Sequence, residues 1–109
     1  MNHYDENHQA KLERMEELGR MLRNIRRRKD FTQERVGTSG GYSARILRKI
    51  ECGQMMPSRL RLIRLGCYGL ELDRRDVNKL LITAGYARLS DAEARQFYAV
   101  GQSLAGSLR

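Results

Sequence analysis

The sequence predicts an all-α fold, a compact helical bundle, on three observations. Apolar residues recur at spacings of three and four along most of the chain. Residues that cap or stop helices punctuate those runs at short intervals. The residues that build sandwiches and barrels are scarce: there is no Trp, one Pro, and 6% aromatic content. A chain of 109 residues has room for one domain with one modest core, and 40% hydrophobic residues argue against a disordered composition.

Residues 1–8 carry His3, Tyr4, Asp5, Glu6, Asn7 and His8 without periodicity and read as a disordered tail. Leu12, Met15, Leu18, Met21, Leu22 and Ile25 then mark one long, extended N-terminal helix. It ends on Arg26, Arg27, Arg28 and Lys29, cations suited to the negative end of a helix dipole. Thr32 is the expected N-cap of a second, short helix that Gly37, Gly40 and Gly41 erode. Ser43 caps a third helix from Ala44 to about Cys52, with Gly53 placed for a left-handed C-cap. Pro57 and Ser58 open a fourth, with Leu60, Leu62, Ile63 and Leu65 as its apolar positions, and Asp73 caps a fifth that Gly85 ends. Ser90, Asp91, Ala92 and Glu93 form a capping box for an extra C-terminal helix with Ala94, Phe97, Val100, Leu104 and Leu108 on one stripe. The expected organisation is a tail over 1–8, a domain over 9–88, and a C-terminal helix over 89–109. That last helix either serves as a dimerisation arm or folds back over Leu12 and Met15.

Charge is segregated along the chain. Residues 1–17 hold five acidic against two basic residues, residues 18–64 thirteen basic against three acidic, and residues 65–109 six basic against five acidic. Nearly all of the net +8 therefore sits in the central segment, the pattern of an electrostatic footprint for a polyanion or of a solvated face. Cys52 and Cys67 have no metal-binding spacing, and no apolar run reaches membrane-spanning length. The polar start Met1 to Gln9 shows no leader pattern, so free thiols, a cytoplasmic location and no membrane partner are expected.

The informative stretch runs from about Thr32 to Glu51: two short helices joined by a glycine-containing turn inside the basic segment. A helix-turn-helix needs a small residue where its helices touch, a turn residue between them and apolar residues facing inward. Gly37, Gly41, Val36, Leu47 and Ile50 supply those parts. With Leu18-Gly19, Arg26, Phe31-Thr32-Gln33-Glu34, Gly41-Tyr42-Ser43, Leu47, Ile50-Glu51, Gly53 and Pro57-Ser58 in place without a gap, the chain from Leu18 to Leu65 resembles the Cro/cI-like (XRE) family of helix-turn-helix regulators. Leu80 to Tyr86 is similar to a segment that follows the domain in some members. The chain departs from the pattern at Asp30, where the family usually has Gly, at Gly37 (Ala), and at Gly40 (an aliphatic residue). Gly66 and Gly69 likewise stand in the fourth helix where Ala and Leu are usual.

The resemblance implies a bundle of the lambda-repressor-like DNA-binding type and assigns roles by position. Ala44, Arg45, Arg48 and Lys49 are the expected base-contacting set, and helical spacing independently puts them on one face with Leu47 and Ile50 turned inward. Arg45 or Lys49 suits guanine, the Ala44 methyl suits thymine, and Arg48 suits phosphate as well as a base. Gln33, Ser43, Arg59 and Arg61 are expected on the DNA backbone, with Arg64 flanking them. Arg26 and Glu51 are expected as a structural ion pair, and Met55-Met56 as loop packing. The implied function is that of a sequence-specific double-stranded-DNA-binding transcriptional regulator. It would act as a repressor, bound as a homodimer to a near-palindromic operator at the nucleoid. Alternatives are an antitoxin that autoregulates through the same motif and a protein-binding adaptor, with a toxin or RNA polymerase as the protein partner. An adaptor does not need so basic a segment. No cofactor is expected and no enzyme site is legible; His3, Asp5, Glu6 and His8 lack the structure to fix a metal.

Overall fold

The computed structural model describes residues 3–99, and among them every regular element is helical. Helix α1 spans His3–Arg28, α2 Gln33–Ser39, α3 Ala44–Glu51, α4 Arg59–Arg64, α5 Arg74–Thr83 and α6 Asp91–Ala94. Two π-helical turns continue α4 (Leu65–Gly69) and α6 (Arg95–Ala99). Helix α1 begins at His3, not after residue 8, so residues 3–8 are helical where a disordered tail was expected. Asp5 and Glu6 lie in the first turns, where the helix dipole favours acidic residues.

Each start follows a local rule. The hydroxyls of Thr32, Ser43 and Ser58 accept the N–H of Arg35, Ile46 and Arg61, and the Asp73 carboxylate accepts that of Asp76. Ser90 and Glu93 form the complete reciprocal box. Helix α1 stops at Asp30, whose φ of 59° is left-handed, while the Phe31 N–H reaches back to Arg26 O. Asp does here what Gly usually does, because its short side chain tolerates that region.

The core gathers Leu18 and Leu22 of α1, Val36 of α2, Leu47 and Ile50 of α3, and the buried apolar residues of α4 and α5. Helix α3 packs on one flank of α1 and α5 on another, with the Thr83 hydroxyl 3.1 Å from the Met21 sulfur. The departures at Gly40, Gly66 and Gly69 explain the widened turn after α4. A Cβ at Gly40 would lie 2.8 Å from a Leu65 methyl, and one at Gly69 would lie 2.8 Å from Val36 O. The aliphatic side chain missing from position 40 is thus replaced by Leu65, delivered by the π turn. A Cβ at Gly66 would in turn meet Val77 at 2.9 Å, so α5 also rests on this seam.

The C-terminal stripe is described in part. Ala94 is buried, the Phe97 ring lies 5.9 Å from that of Tyr68, and the Tyr98 hydroxyl donates to Leu72 O. This segment folds back onto the π turn and the start of α5. Val100, Leu104 and Leu108 lie outside the described residues. Among the described residues no helix is long and apolar enough to cross a membrane.

Arg59 clamps the end of the bundle: its guanidinium donates twice to Glu93 and once each to the carbonyls of Ala87 and Arg88. First the Arg59 guanidinium and then the Ser90 N–H hold the Glu93 carboxyl at about 2. A carboxyl lowered on folding stabilises fully above its ordinary value of 4.5, and that contribution is lost as pH falls through about 2. Denaturation followed between pH 5 and pH 2 is therefore expected to show a smaller acid-induced loss of stability in Glu93→Gln than in the parent chain.

Candidate nucleic-acid interface

The α2–turn–α3 unit is built by close approach. The chain reverses after α2 through Gly41, at φ 87°, and the Tyr42 N–H returns to Gly37 O. A Cβ at Gly37 would lie 2.9 Å from Ser43 O, which accounts for Gly at a position where the resembled family has Ala. Gly19 does the same between helices: a Cβ there would meet the backbone oxygen of Glu51 at 2.5 Å. Helix α3 consequently sits against the backbone of α1.

One buried ion pair joins these parts. The Glu51 side chain is 1% exposed and takes Arg26 Nε at 2.7 Å and the second guanidinium arm at 3.0 Å. The remaining Arg26 arm donates to Phe31 O, Gln33 Nε2 donates to the same Glu51 oxygen as the second arm, and Arg23 approaches to 3.7 Å. The hydrogen bond to Glu51 holds the Arg26 pKa above its ordinary value. This is the structural pair expected from the sequence. Arg23 and Gln33 were not expected in it, although Arg23 stands one turn before Arg26 on the same side of α1.

Helix α3 is sharply two-sided. Leu47, Ile50 and Glu51 are buried, Ala44 and Ile46 are half-buried, and Arg45, Arg48 and Lys49 are exposed. The structure brings these last three onto one outward face, and none has an ion pair among the described residues. Ser43 is exposed at the head of α3, with its oxygen engaged as the cap.

The expected backbone set divides. Arg61 stays exposed, its guanidinium 5.1 Å above the buried ring of Tyr42, and Arg64 is exposed. Burial raises the Tyr42 phenol above its ordinary pKa, against the lowering influence of Arg61, and among the described residues no group lies at hydrogen-bonding geometry to its hydroxyl. Arg59 is corrected to a structural role, because four of its five N–H groups are already committed to Glu93, Ala87 and Arg88. Gln33 is half-buried and drawn inward by Glu51, which leaves the start of α2 to present backbone N–H groups. Met55 and Met56 pack against the core as expected of that loop.

Among the described residues no group of three His, Cys, Asp or Glu is placed to hold a metal, and the side chains of His3, Asp5 and Glu6 lie outside what is described. Both cysteines are free; burial raises the Cys67 thiol pKa. Compared with known proteins, the chain matches no family model, no curated protein and no solved structure.

Glu51→Ala strands Arg26, whose side chain is 13% exposed, and is expected to cost about 3–5 kcal/mol in urea denaturation. The paired replacement of Arg26 and Glu51 by Met is expected to cost less than Glu51→Ala alone, since it leaves no buried charge unpaired. Equal costs would remove the ion pair from this account.

Proposed function

We propose that the chain is a sequence-specific double-stranded-DNA-binding regulator, reading the major groove with α3 in a bundle of the lambda-repressor-like type. The observation that carries this reading is the outward face of α3: Arg45, Arg48 and Lys49 stand exposed and unpaired among the described residues, on a helix whose opposite face is buried and bolted to α1. A rigid helix presenting donors suits base edges, and Arg45 or Lys49 would take guanine O6 and N7 while Ala44 meets a thymine methyl. Ser43, Arg61 and the first N–H groups of α2 would hold phosphates. Arg59 is not carried into this set.

One recognition helix reads only a few base pairs, so two copies on half-sites about one helical turn apart are part of the proposal, as is repression at a near-palindromic operator. No observation favours the antitoxin or adaptor readings, and the exposed cations of α3 have no evident task in an adaptor. Such a regulator acts in the cytoplasm, at the nucleoid.

Selection from a random duplex library is expected to enrich one motif, and binding to it is expected to weaken with salt at a slope of roughly −0.9 per phosphate neutralised, for about 4–8 phosphates in a dimer. Arg45→Ala or Lys49→Ala is expected to cost roughly 1–3 kcal/mol on that motif and to blur one base position, with the fold unchanged. Failure to enrich any motif, or salt-insensitive binding, would overturn the reading.

A further inference from the structure

On the side of α1 away from Gly19 and Arg26, the C-terminal half of that helix and the start of α5 enclose an open hollow of about 550 Å³. That volume falls within the usual range of small-molecule sites, about 300–1,000 Å³. Its floor is apolar: Met21 and Ile25 are half-buried against the core, and Leu72 is buried. Its rim is cationic, with Arg28, Lys29 and Lys79 against the single carboxylate of Asp76.

The charges of the rim do not cancel. Asp76 lies 3.7 Å from the Lys79 ammonium, and Lys29 is turned to a neutral acceptor, the carbonyl of Glu71. Arg28 has no ion pair among the described residues. Two positive charges are therefore left over beside an apolar floor. Water serves the cations well but the floor poorly, and a bare inorganic anion would do nothing for the floor. A molecule with one charged end and an apolar body satisfies both at once.

We propose that this hollow binds a small organic monoanion with an aliphatic body, its carboxylate between Arg28 and Lys29 and its chain on Met21, Ile25 and Leu72. The site shares no residue with the α3 face and does not rest on the DNA reading, so either stands if the other fails. Because the hollow is open and its cations are exposed, binding is modest and both ends of the ligand contribute.

The test titrates the isotope-labelled full chain with octanoate, octan-1-ol and acetate while following the methyl signals of Met21, Ile25 and Leu72. Octanoate is expected to shift them saturably with a Kd on the order of a millimolar or tighter. Acetate and octan-1-ol are each expected to bind more weakly, since each satisfies only half of the site. Arg28→Gln and Lys29→Gln, both at exposed positions, are expected to weaken octanoate by roughly two- to fivefold each, the share of a solvent-exposed charge pair. Octan-1-ol binding as tightly as octanoate, shifts centred elsewhere, or full affinity in the doubly substituted chain would overturn the proposal.

Discussion

The arrangement of this domain depends on the buried carboxylate of Glu51. Its side chain is 1% exposed at the end of α3 and is neutralised by Arg26 from α1, a residue 25 positions earlier. Taking a carboxylate and a guanidinium out of water is costly, and the attraction between them offsets that cost only in good geometry with the remaining hydrogen-bonding groups satisfied. Those conditions are met by the two-pronged contact, by Phe31 O on the third arm of Arg26 and by the amide of Gln33. Each added contact comes from a different part of the chain: the α1–α2 turn and the start of α2. One charge pair therefore sets the mutual position of α1, α2 and α3, and with it the direction in which α3 faces solvent.

Close approach makes that geometry reachable. Gly19 lets α3 rest on the backbone of α1, and Gly37 lets α2 and the start of α3 touch. On the far side of α2, Gly40 and Gly69 leave room that Leu65 and Val36 fill. Three of the five residues that differ from the resembled family pattern, Gly40, Gly66 and Gly69, thus lie where the π turn meets α2 and α5. A missing aliphatic side chain on α2 is matched by a π turn that brings a leucine to the same place. An exposed side chain is only as well placed as the element beneath it, and here α3 rests on both α1 and α2.

The same structure separates cations that look alike in sequence. Arg26, Arg35 and Arg59 are each engaged with a carboxylate, Glu51, Glu71 and Glu93 in turn, the Arg35 pair at the surface, and Arg35 also lies 3.7 Å from the centre of the Phe31 ring. Arg45, Arg48 and Lys49 are exposed and without such partners among the described residues; Arg28 is likewise unpaired, on another side of the molecule beside an apolar hollow. Excess positive charge on this chain is therefore not one patch. It falls into the exposed face of α3, a set of clamps and a separate rim.

The sequence by itself determined what local rules govern. Thr32, Ser43, Ser58, Asp73 and Ser90 were legible as caps because each acts on an N–H three residues ahead, and the inward turn of Leu47 and Ile50 followed from helical spacing alone. The Arg26–Glu51 pair was legible only because the spacing of the whole segment resembles a known pattern. What tertiary structure decided lies between residues far apart in sequence. The partners of Arg59 are 28 to 34 positions away, so nothing in its neighbourhood distinguishes it from Arg61. The π turn at Leu65–Gly69 depends on which side chains its glycines must admit from α2 and α5, and the hollow exists only where α1 and α5 meet. Propensity and capping are properties of a few consecutive residues, whereas shape, burial and charge pairing are properties of surfaces that come together only when the chain has folded.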